Sequence, residues 1–471
     1  MDTQRQKASR RRFLKRVAIL SSATVVAPNI LFGKTSGDKV NLACVGIGNR
    51  GAEIIIELHK TGLANIVALC DVDMGAPHTK KIIDLFPDVP RFKDFRSMFD
   101  KMGNQIEAVS IGTPDHSHFP VTMMAMALGK HVYVEKPLGR TFQECELLLK
   151  ASRKYPKVVT QMGNQGHSEE NYFQFKAWKE AGIIKDVTAI DAHMNLPRRW
   201  HTWDVKMKSF PPAEPIPDTL NWDEWLSAAR SHAYNKDYIN GQWRCWYDYG
   251  MGALGDWGAH ILDTAHEFLA LGLPTEIDPV KLVGHNKFFF PMASTIAFKF
   301  GARENMPPVT LTWYDGVDNL PPIPEGFGVS GLDPNIPPPS TGAIEPVKLN
   351  PGKIIYSKDT IFKGGSHASP LSIIPEAKAK DMQSSLPYVP QTTSNHFKNF
   401  LLACMGEEQT RSPFSVAVPL CQVLNLGVLA QQLNKKLVFN PATKKITNSK
   451  SANKLLAGPA PRKGWEQYYV V

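Results

Sequence analysis

A glycine-rich turn near the start of the chain is the first feature whose residue types could bind a charged ligand. It follows the apolar run 40–45 and consists of Gly46, Ile47, Gly48, Asn49, Arg50 and Gly51. Without side chains, such a turn lets the backbone approach a pyrophosphate, whose negative charge is stabilised by the N-terminus of the next helix. The same glycines could instead form only a tight turn between a strand and a helix, with no ligand.

An acidic residue, Asp71, lies twenty residues after Gly51 and just beyond the next apolar run, 66–69. At this spacing a carboxylate can accept hydrogen bonds from the hydroxyls of an adenosine ribose. It would repel the additional 2′-phosphate of NADP. The turn and the acid together therefore predict a site for NAD, with NADP less favoured.

Three later residues could exchange a proton with a substrate. Asp256 and His260 are four residues apart, so on a helix they share one face, and the carboxylate could orient or charge the imidazole. Lys136 follows the apolar run 131–134, where the carboxyl end of a parallel strand meets the crevice of a doubly wound sheet. Asp256 could instead only cap a helix, His260 could be a core histidine, and Lys136 could be a surface lysine before a turn proline.

The elements that must position these residues follow two different patterns. Up to about residue 164, short β-branched runs alternate with helical stretches, which predicts a doubly wound parallel sheet. Its predicted strands are 40–45, 66–69, 108–111, 131–134 and 158–161, and its predicted helices are 52–59, 123–128 and 142–154. Later apolar runs lack regular crossover helices and predict a large open, mostly antiparallel sheet. These runs are 186–194, 280–283, 295–300, 309–314 and 353–356.

The predicted fold class is therefore α/β followed by α+β. Helices are expected at 394–406 and 416–434, and a surface loop in the proline-rich stretch 307–339. We divide the chain into an export signal, a Rossmann domain, a substrate domain on the antiparallel sheet, and C-terminal helices with a tail that packs back on both domains. The corresponding ranges are 1–34, 35–164, 165–393 and 394–471.

The N-terminal segment carries most of the positive charge. The 471 residues have a net charge of +10, but residues 1–34 hold eight Lys and Arg against one acid, so they contribute +7 and the remainder +3. The rest of the chain therefore lacks the strong positive charge that would support nucleic-acid binding. Ser9 to Lys15 match the twin-arginine pattern and precede the apolar stretch 17–27, so we expect folded export to the periplasm without stable membrane insertion. The alternative is a basic amphipathic helix.

Four motifs resemble those of the Gfo/Idh/MocA oxidoreductase family. They are the glycine turn, the run from Gly112 to His118, Glu135-Lys136-Pro137, and the run from Gly255 to His260. The resemblance extends over nearly all of residues 39–471 and implies a Rossmann domain joined to a substrate domain on an open antiparallel sheet. It implies that Lys136 lies near the nicotinamide and the substrate hydroxyl, with Asp256 and His260 as the other polar members of the site. The further cofactor contacts expected are Thr113, Pro114, His118 and Glu135.

Other polar residues near the domain boundary and before the Asp256 helix could bind a sugar. The candidates are Asn164, Gln165, His167, Arg198, His201, Arg244 and Tyr247. Aromatic faces beside Arg and His suit stacking on pyranose rings while hydroxyls are hydrogen-bonded, although each aromatic could equally serve packing. His193, His260 and His266 lack compact metal-ligand spacing, and no CxxC pair occurs among the six cysteines, so we predict no catalytic metal and free thiols.

The predicted function is an NAD-dependent sugar oxidoreductase acting on CH–OH. An exported dehydrogenase has no cytosolic pool of NADH to exchange with, so the NAD should stay tightly bound. The first alternative is a redox-neutral glycosidase or lyase that oxidises its sugar transiently; the retained Lys136 favours net oxidation or reduction over it. A non-catalytic sugar-binding protein is the second alternative. We also expect a homodimer or homotetramer formed through the antiparallel sheet.

Overall fold

The structure is a computed structural model that describes residues 39–195, 201, 203–303, 305–327 and 350–471. The predicted export signal lies outside the described residues, and so does Arg198, one of the predicted sugar ligands.

A six-stranded parallel sheet forms the first part of the fold. Its strands are β1 (Val40–Val45), β2 (Ala64–Cys70), β3 (Arg91–Phe92), β4 (Ala108–Ile111), β5 (His131–Val134) and β6 (Thr160–Met162). The order across the sheet is β3-β2-β1-β4-β5-β6, and every neighbouring pair is parallel. This order reverses direction between β1 and β4, which is where doubly wound sheets bind their ligands.

Helices connect the strands of this sheet. They are α1 (Arg50–Lys60), α2 (Lys80–Leu85), α3 (Phe95–Met102), α4 (Asp115–Ala127) and α5 (Phe142–Lys154). The sequence did not predict α2, α3 or β3. It also placed the start of α4 eight residues too late, because every residue from Asp115 to Met126 is buried and the helix therefore shows no alternation of apolar and polar faces.

The second sheet has nine strands and confirms the predicted fold class. Its strands are β7 (Val187–Met194), β8 (Glu276–Val283), β9 (Ala293–Phe300), β10 (Val309–Asp315), β11 (Gly352–Ser357), β12 (Ile361–Gly365), β13 (Leu371–Ile374), β14 (Leu437–Asn440) and β15 (Lys445–Ile446). The order is β13-β12-β11-β7-β10-β9-β8-β14-β15, and only the β7–β10 pair is parallel. Association of copies through this sheet stays a prediction.

Further helices pack on the second sheet or return to the first. They are α6 (Glu170–Glu180), α7 (Trp222–Leu226), α8 (Gly252–Ile261), α9 (Asp263–Phe268), α10 (Glu376–Met382), α11 (His396–Met405), α12 (Phe414–Leu433) and α13 (Lys450–Leu456). Met251 precedes α8, so Asp256 lies in its second turn and is not a helix cap. The C-terminal tail contributes α13 and also β14 and β15, which the sequence did not predict.

The long helix α12 joins the two halves of the molecule. It packs against α5 of the first domain and against α8 of the second, which carries Asp256 and His260. Of the helices described, α12 alone has the length and hydropathy of a membrane span, yet 83% of its most apolar window is buried inside the fold. Its apolar composition is thus that of a core helix between two sheets.

Close approach of α12 to the site helix depends on a glycine. A Cβ added to Gly427 would lie 2.5 Å from Leu254 Cδ2 on α8 and 2.7 Å from Phe298 Cζ on β9. Both distances are shorter than van der Waals contact, so the missing side chain lets α12 lie directly against α8 and β9.

Gly427→Val should lower the free energy of unfolding by about 1–3 kcal/mol, the usual cost of overpacking a close-packed core. Gly301→Val is the matched control, because a Cβ at Gly301 meets nothing within 4 Å. Urea unfolding followed by circular dichroism compares the two variants with the wild type. Equal stability of both variants would contradict the tight α8–α12 contact.

Candidate active site

A cleft of about 1050 Å³ runs between the two domains. Its walls come from the carboxyl ends of the parallel strands on one side, and from α7, α8 and the β12–β13 loop on the other. The glycine turn lies at the switch point between β1 and β4, as expected for a doubly wound sheet.

The glycine turn tolerates no side chain at its first and last positions. Gly46 has a φ of 79°, and a Cβ there would lie 2.7 Å from Gly112 C. A Cβ on Gly51 would lie 2.0 Å from the carbonyl oxygen of Gly46. The turn therefore brings bare backbone and the N-terminus of α1 to the cleft, which suits a pyrophosphate.

Asp71 is held beside this turn by backbone amides. Its Oδ2 accepts a hydrogen bond of 2.9 Å from Ile47 N, and its Oδ1 accepts one of 2.9 Å from Asp73 N. Burial raises the pKa of the Asp71 carboxyl, and these two amides act in the opposite direction. Each carboxylate oxygen keeps a further lone pair, so the group can still accept hydrogen bonds from a ribose.

The other predicted cofactor contacts also line the cleft. These are Gly48, Asn49, Arg50, Thr113, Pro114, His118 and Glu135. Glu135 accepts hydrogen bonds of 3.2 Å from Arg50 Nε and from Gln165 Nε2, which fixes it beneath the cleft. The buried Thr113 Oγ1 has no hydrogen-bond partner within the described residues. An unpartnered buried hydroxyl beside bare glycine backbone fits a bound dinucleotide, which would supply the missing polar group.

Lys136 connects the two domains inside the cleft. Its Nζ lies 2.5 Å from Asp256 Oδ1 and donates a second hydrogen bond of 2.8 Å to the Asp256 carbonyl. Arg244 Nε approaches the same carboxylate oxygen at 3.7 Å. Asp256 thus faces two cations, and the end of β5 is tied to the second turn of α8.

His260 is buried one helical turn beyond Asp256. Burial lowers the pKa of its imidazole well below the usual value, and the neighbouring Lys136 and His367 lower it further. Its Nδ1 has no hydrogen-bond partner within the part of the chain that the structure describes. The ring is therefore neutral near pH 7 and has a basic or donating nitrogen to spare.

His367 is a site residue that the sequence did not indicate. It lies on the β12–β13 loop, lines the cleft, and stacks on His260 with ring centroids 3.8 Å apart and an interplanar angle of 23°. Two glycines precede it, but no spacing links it to His260, 107 residues away in the chain. Only the packing of the loop against Gly166 and α8 brings the rings together.

Gln165 and Arg244 are the predicted sugar contacts that line the cleft, and Arg244 also lies 4.0 Å from the centre of the Trp243 ring. A cation stacked on an aromatic face at the substrate end of a cleft can hydrogen-bond a hydroxyl and cover a ring at once.

Four other predicted sugar contacts, Asn164, His167, His201 and Tyr247, do not line this cleft. Asn164 Nδ2 and His167 Nδ1 both bond Asp263, at 2.9 and 3.0 Å. Burial alone would lower the pKa of His167, but Asp263 and Glu267 outweigh it and raise the pKa to about 10. These polar groups are thus engaged by the protein itself.

The remaining two of the four are His201 and Tyr247. His201 Nε2 lies 3.1 Å from the carbonyl oxygen of Phe290 and its ring stacks on Trp203. Tyr247 is buried with its ring 4.2 Å from that of Phe290. Both belong to the packing under the cleft. Within the described residues no group of three or more His, Cys, Asp or Glu could hold a metal ion.

Two family models match the chain. The model described as an oxidoreductase family with an NAD-binding Rossmann fold matches residues 40–162, and that of the family's C-terminal alpha/beta domain matches residues 188–282.

Curated relatives match over shorter stretches. Glycosyl hydrolase family 109 protein 1 of Shewanella sp. (strain ANA-3) is 24% identical over 207 residues, 41% of this chain and 44% of that protein. Inositol 2-dehydrogenase of Pseudomonas fluorescens (strain SBW25) is 29% identical over 158 residues, 33% of this chain and 46% of that protein. The chain thus spans less than half the length of these relatives.

Solved structures show the same fold. The WlbA dehydrogenase of Bordetella pertussis, in complex with NADH and UDP-GlcNAcA, has a TM-score of 0.55 at 13% identity, covering 85% of this chain and 99% of that one. The aldose-aldose oxidoreductase of Caulobacter crescentus, complexed with glycerol, has a TM-score of 0.52 at 13% identity and covers 85% and 100%. With its glycine turn, its Glu-Lys-Pro strand end and both domain matches, the chain carries the NAD-binding Rossmann domain and the C-terminal domain of the Gfo/Idh/MocA oxidoreductase family.

Proposed function

We propose that the protein transfers hydride between a hydroxyl-bearing carbon of a sugar and tightly bound NAD. The observation that carries this proposal is the contact of Lys136 with Asp256 beside the neutral imidazole of His260, in the cleft that begins at the glycine turn. The inositol dehydrogenase and the sugar-nucleotide dehydrogenase among the similar proteins support a carbohydrate substrate.

The reaction needs a group that takes the hydroxyl proton while hydride leaves the same carbon. When bound, NAD supplies the hydride acceptor. His260 is the base, because its ring lines the cleft and its lowered pKa keeps it unprotonated at neutral pH. Lys136 donates to the substrate oxygen and stabilises its developing negative charge.

Asp256 holds Lys136 in place for this role. The carboxylate and the backbone carbonyl of Asp256 both accept from Lys136 Nζ, which holds the ammonium on the wall of the cleft. Arg244 and Trp243 lie on the same wall and are placed to bind the neighbouring hydroxyls and one face of the sugar.

Reduction of bound NAD in a single turnover tests these roles. His260→Ala should lose about 3 to 5 kcal/mol of transition-state stabilisation, the range that general acid/base catalysis supplies, and Lys136→Met should be comparably slow. The readout is nicotinamide absorbance after mixing with a sugar found by a carbohydrate panel. His59→Ala and Lys380→Met, both exposed and outside the cleft, should behave as wild type. Wild-type rates in both site variants would contradict the assignment.

A redox-neutral reaction is the second candidate, favoured by the similarity to a glycosyl hydrolase of family 109. In such a reaction the sugar would be oxidised, would lose a substituent by elimination and take up water in its place, and would then be reduced with the same hydride, so that no net oxidation occurs. The two candidates differ in the redox state of the bound cofactor after one turnover. Net oxidation leaves NADH on the protein after one turnover, whereas the redox-neutral reaction releases a cleaved sugar and restores NAD.

The structure supports retention of the cofactor through a segment of the second domain, residues 219–227, which we name the clasp. It covers the cleft near Asp71, with Leu220, Glu224 and Trp225 in the wall. Asn221 N donates to Val72 O at 2.9 Å. Because this hydrogen bond joins the clasp to the first domain, the end of the cleft near Asp71 cannot open without breaking it.

Three further contacts reinforce the clasp. Lys93 Nζ donates to Thr219 O at 3.1 Å, and the buried Arg96 forms ion pairs with both Glu224 and Asp94. Arg462 from the C-terminal tail pairs with Asp223 on α7. The Arg96–Glu224 ion pair and the Lys93–Thr219 hydrogen bond thus have to separate before the clasp can move away from the first domain.

Glu224→Ala should speed the loss of bound NAD about tenfold, equivalent to about 1.4 kcal/mol, because it removes the ion pair that joins the clasp to Arg96 of the first domain. NAD content is measured by chromatography of the denatured protein after serial dilution. Glu376→Gln removes an exposed ion pair with Lys380 far from the cleft and serves as the control. Identical NAD retention in Glu224→Ala and in the control would show that the clasp does not slow the release of NAD.

We also propose that the protein is exported in folded form by the twin-arginine route. The support is in the sequence, where Arg10 and Arg11 lie in a matching motif before an apolar stretch. A protein that folds before export can carry its NAD with it, which agrees with a cofactor held under a clasp.

Fusion of residues 1–40 to a folded reporter should deliver the reporter to the periplasm. The double variant Arg10→Lys and Arg11→Lys should keep it in the cytoplasm, since lysines preserve the charge but not the motif. Fractionation of the cells measures the distribution. Equal export of both fusions would rule out the twin-arginine route.

A further inference from the structure

The β12–β13 loop, residues 366–370, is built to hold His367 against His260. His367 has a φ of 52°, a left-handed conformation that few side chains adopt without support. Its ring meets Trp257 edge-on at 5.4 Å and lies face to face with His260 at 3.8 Å. Ser366 Oγ lies 3.0 Å from His367 Nδ1 and fixes the rotation of the ring.

The backbone of this loop is anchored on the first helical turns after the Rossmann sheet. A Cβ on Gly166 would lie 2.9 Å from His367 O, so the two backbones are in direct contact. Gln174 on α6 accepts from Leu371 N at 2.6 Å and donates to Leu371 O at 2.9 Å. Ser369 Oγ accepts from Gly365 N at 3.2 Å. Both ends of the loop are therefore fixed.

We propose that His367 is a positioning residue for the reaction, whose stacked ring fixes the plane of the His260 imidazole and keeps water from one of its faces. This inference rests on the proposed function, in which His260 exchanges the substrate proton. A flexible imidazole would spend part of its time turned away from the substrate hydroxyl, and the aromatic stack removes that freedom.

The charges around His260 give the stack a second effect. Besides burial, the groups that face the ring and lower its pKa are Lys136 at the end of β5, His367 on the loop, Arg50 on α1 and His396 on α11. Burial, Lys136 and Arg50 also lower the pKa of His367, to about 4, so both stacked rings are neutral at pH 7. Removing the His367 ring exposes His260 to water and should raise its pKa towards the ordinary value.

Two variants separate stacking from general packing. His367→Ala removes the ring, whereas His367→Phe keeps an aromatic face over His260 but has no titratable group. With NAD bound as purified, 15N-histidine NMR gives the pKa of His260, whose signal is assigned from its loss in His260→Gln. Thermal unfolding shows whether each variant is folded.

His367→Ala should raise the pKa of His260 by about one unit or more and move the acid limb of kcat to higher pH by the same amount. Its kcat should fall about tenfold with KM for the sugar little changed, and His367→Phe should recover most of the loss.

Other results overturn the inference. If both variants keep the wild-type His260 titration and turnover, the stack has no positioning role. If both lose stability and rate equally, with no change in the titration, His367 serves only to hold the loop.

The outcome is separable from that of the proposed function. If no sugar reduces the bound NAD in the wild type, the proposed function fails, while the NMR titration still shows whether His367 sets the state of His260. If the wild type transfers hydride and His367→Ala matches it in rate and titration, the function stands and the inference falls.

Discussion

The site depends on one contact between domains, the ion pair of Lys136 with Asp256. Both side chains are nearly buried, with 11% and 7% of their surface exposed, so each would be costly to bury alone. Lys136 follows the end of β5, and Asp256 lies on α8, which packs against α12. The geometry of the cleft therefore follows from how closely α8 and α12 pack, which Gly427 permits.

The features that the sequence predicted depend on residues that are close together in the chain or that follow predicted strands. The glycine turn at residues 46–51 and Asp71 follow buried strands, and parallel strands carry whatever follows them to one edge of the sheet. Asp256 and His260 share a helix, so their spacing alone places them near each other. That Lys136, which follows β5, would lie beside them was implied by the family resemblance and not by spacing, and the contact with Asp256 forms across the two domains.

What the sequence could not predict depends on contacts between distant segments. His367 reaches the site only because its loop rests on Gly166 and is held by Gln174. Asn164 and His167 are polar residues at the domain boundary and were therefore expected to bind the sugar. In the structure, however, both side chains are hydrogen-bonded to Asp263. The type of a residue thus indicates whether its side chain can bind a sugar. Tertiary packing decides whether that side chain faces the cleft or is hydrogen-bonded to another residue of the protein.

The cleft keeps a cation and a neutral base side by side, and burial explains how. Desolvation disfavours any charge that lacks a partner, so Lys136 is paired with Asp256, while burial and the neighbouring Lys136 and His367 lower the pKa of His260. Lysine can then donate and histidine can then accept at the same pH. The buried Asp256 carboxylate pairs with Lys136 and not with His260. The lysine therefore serves as the proton donor and the histidine as the acceptor.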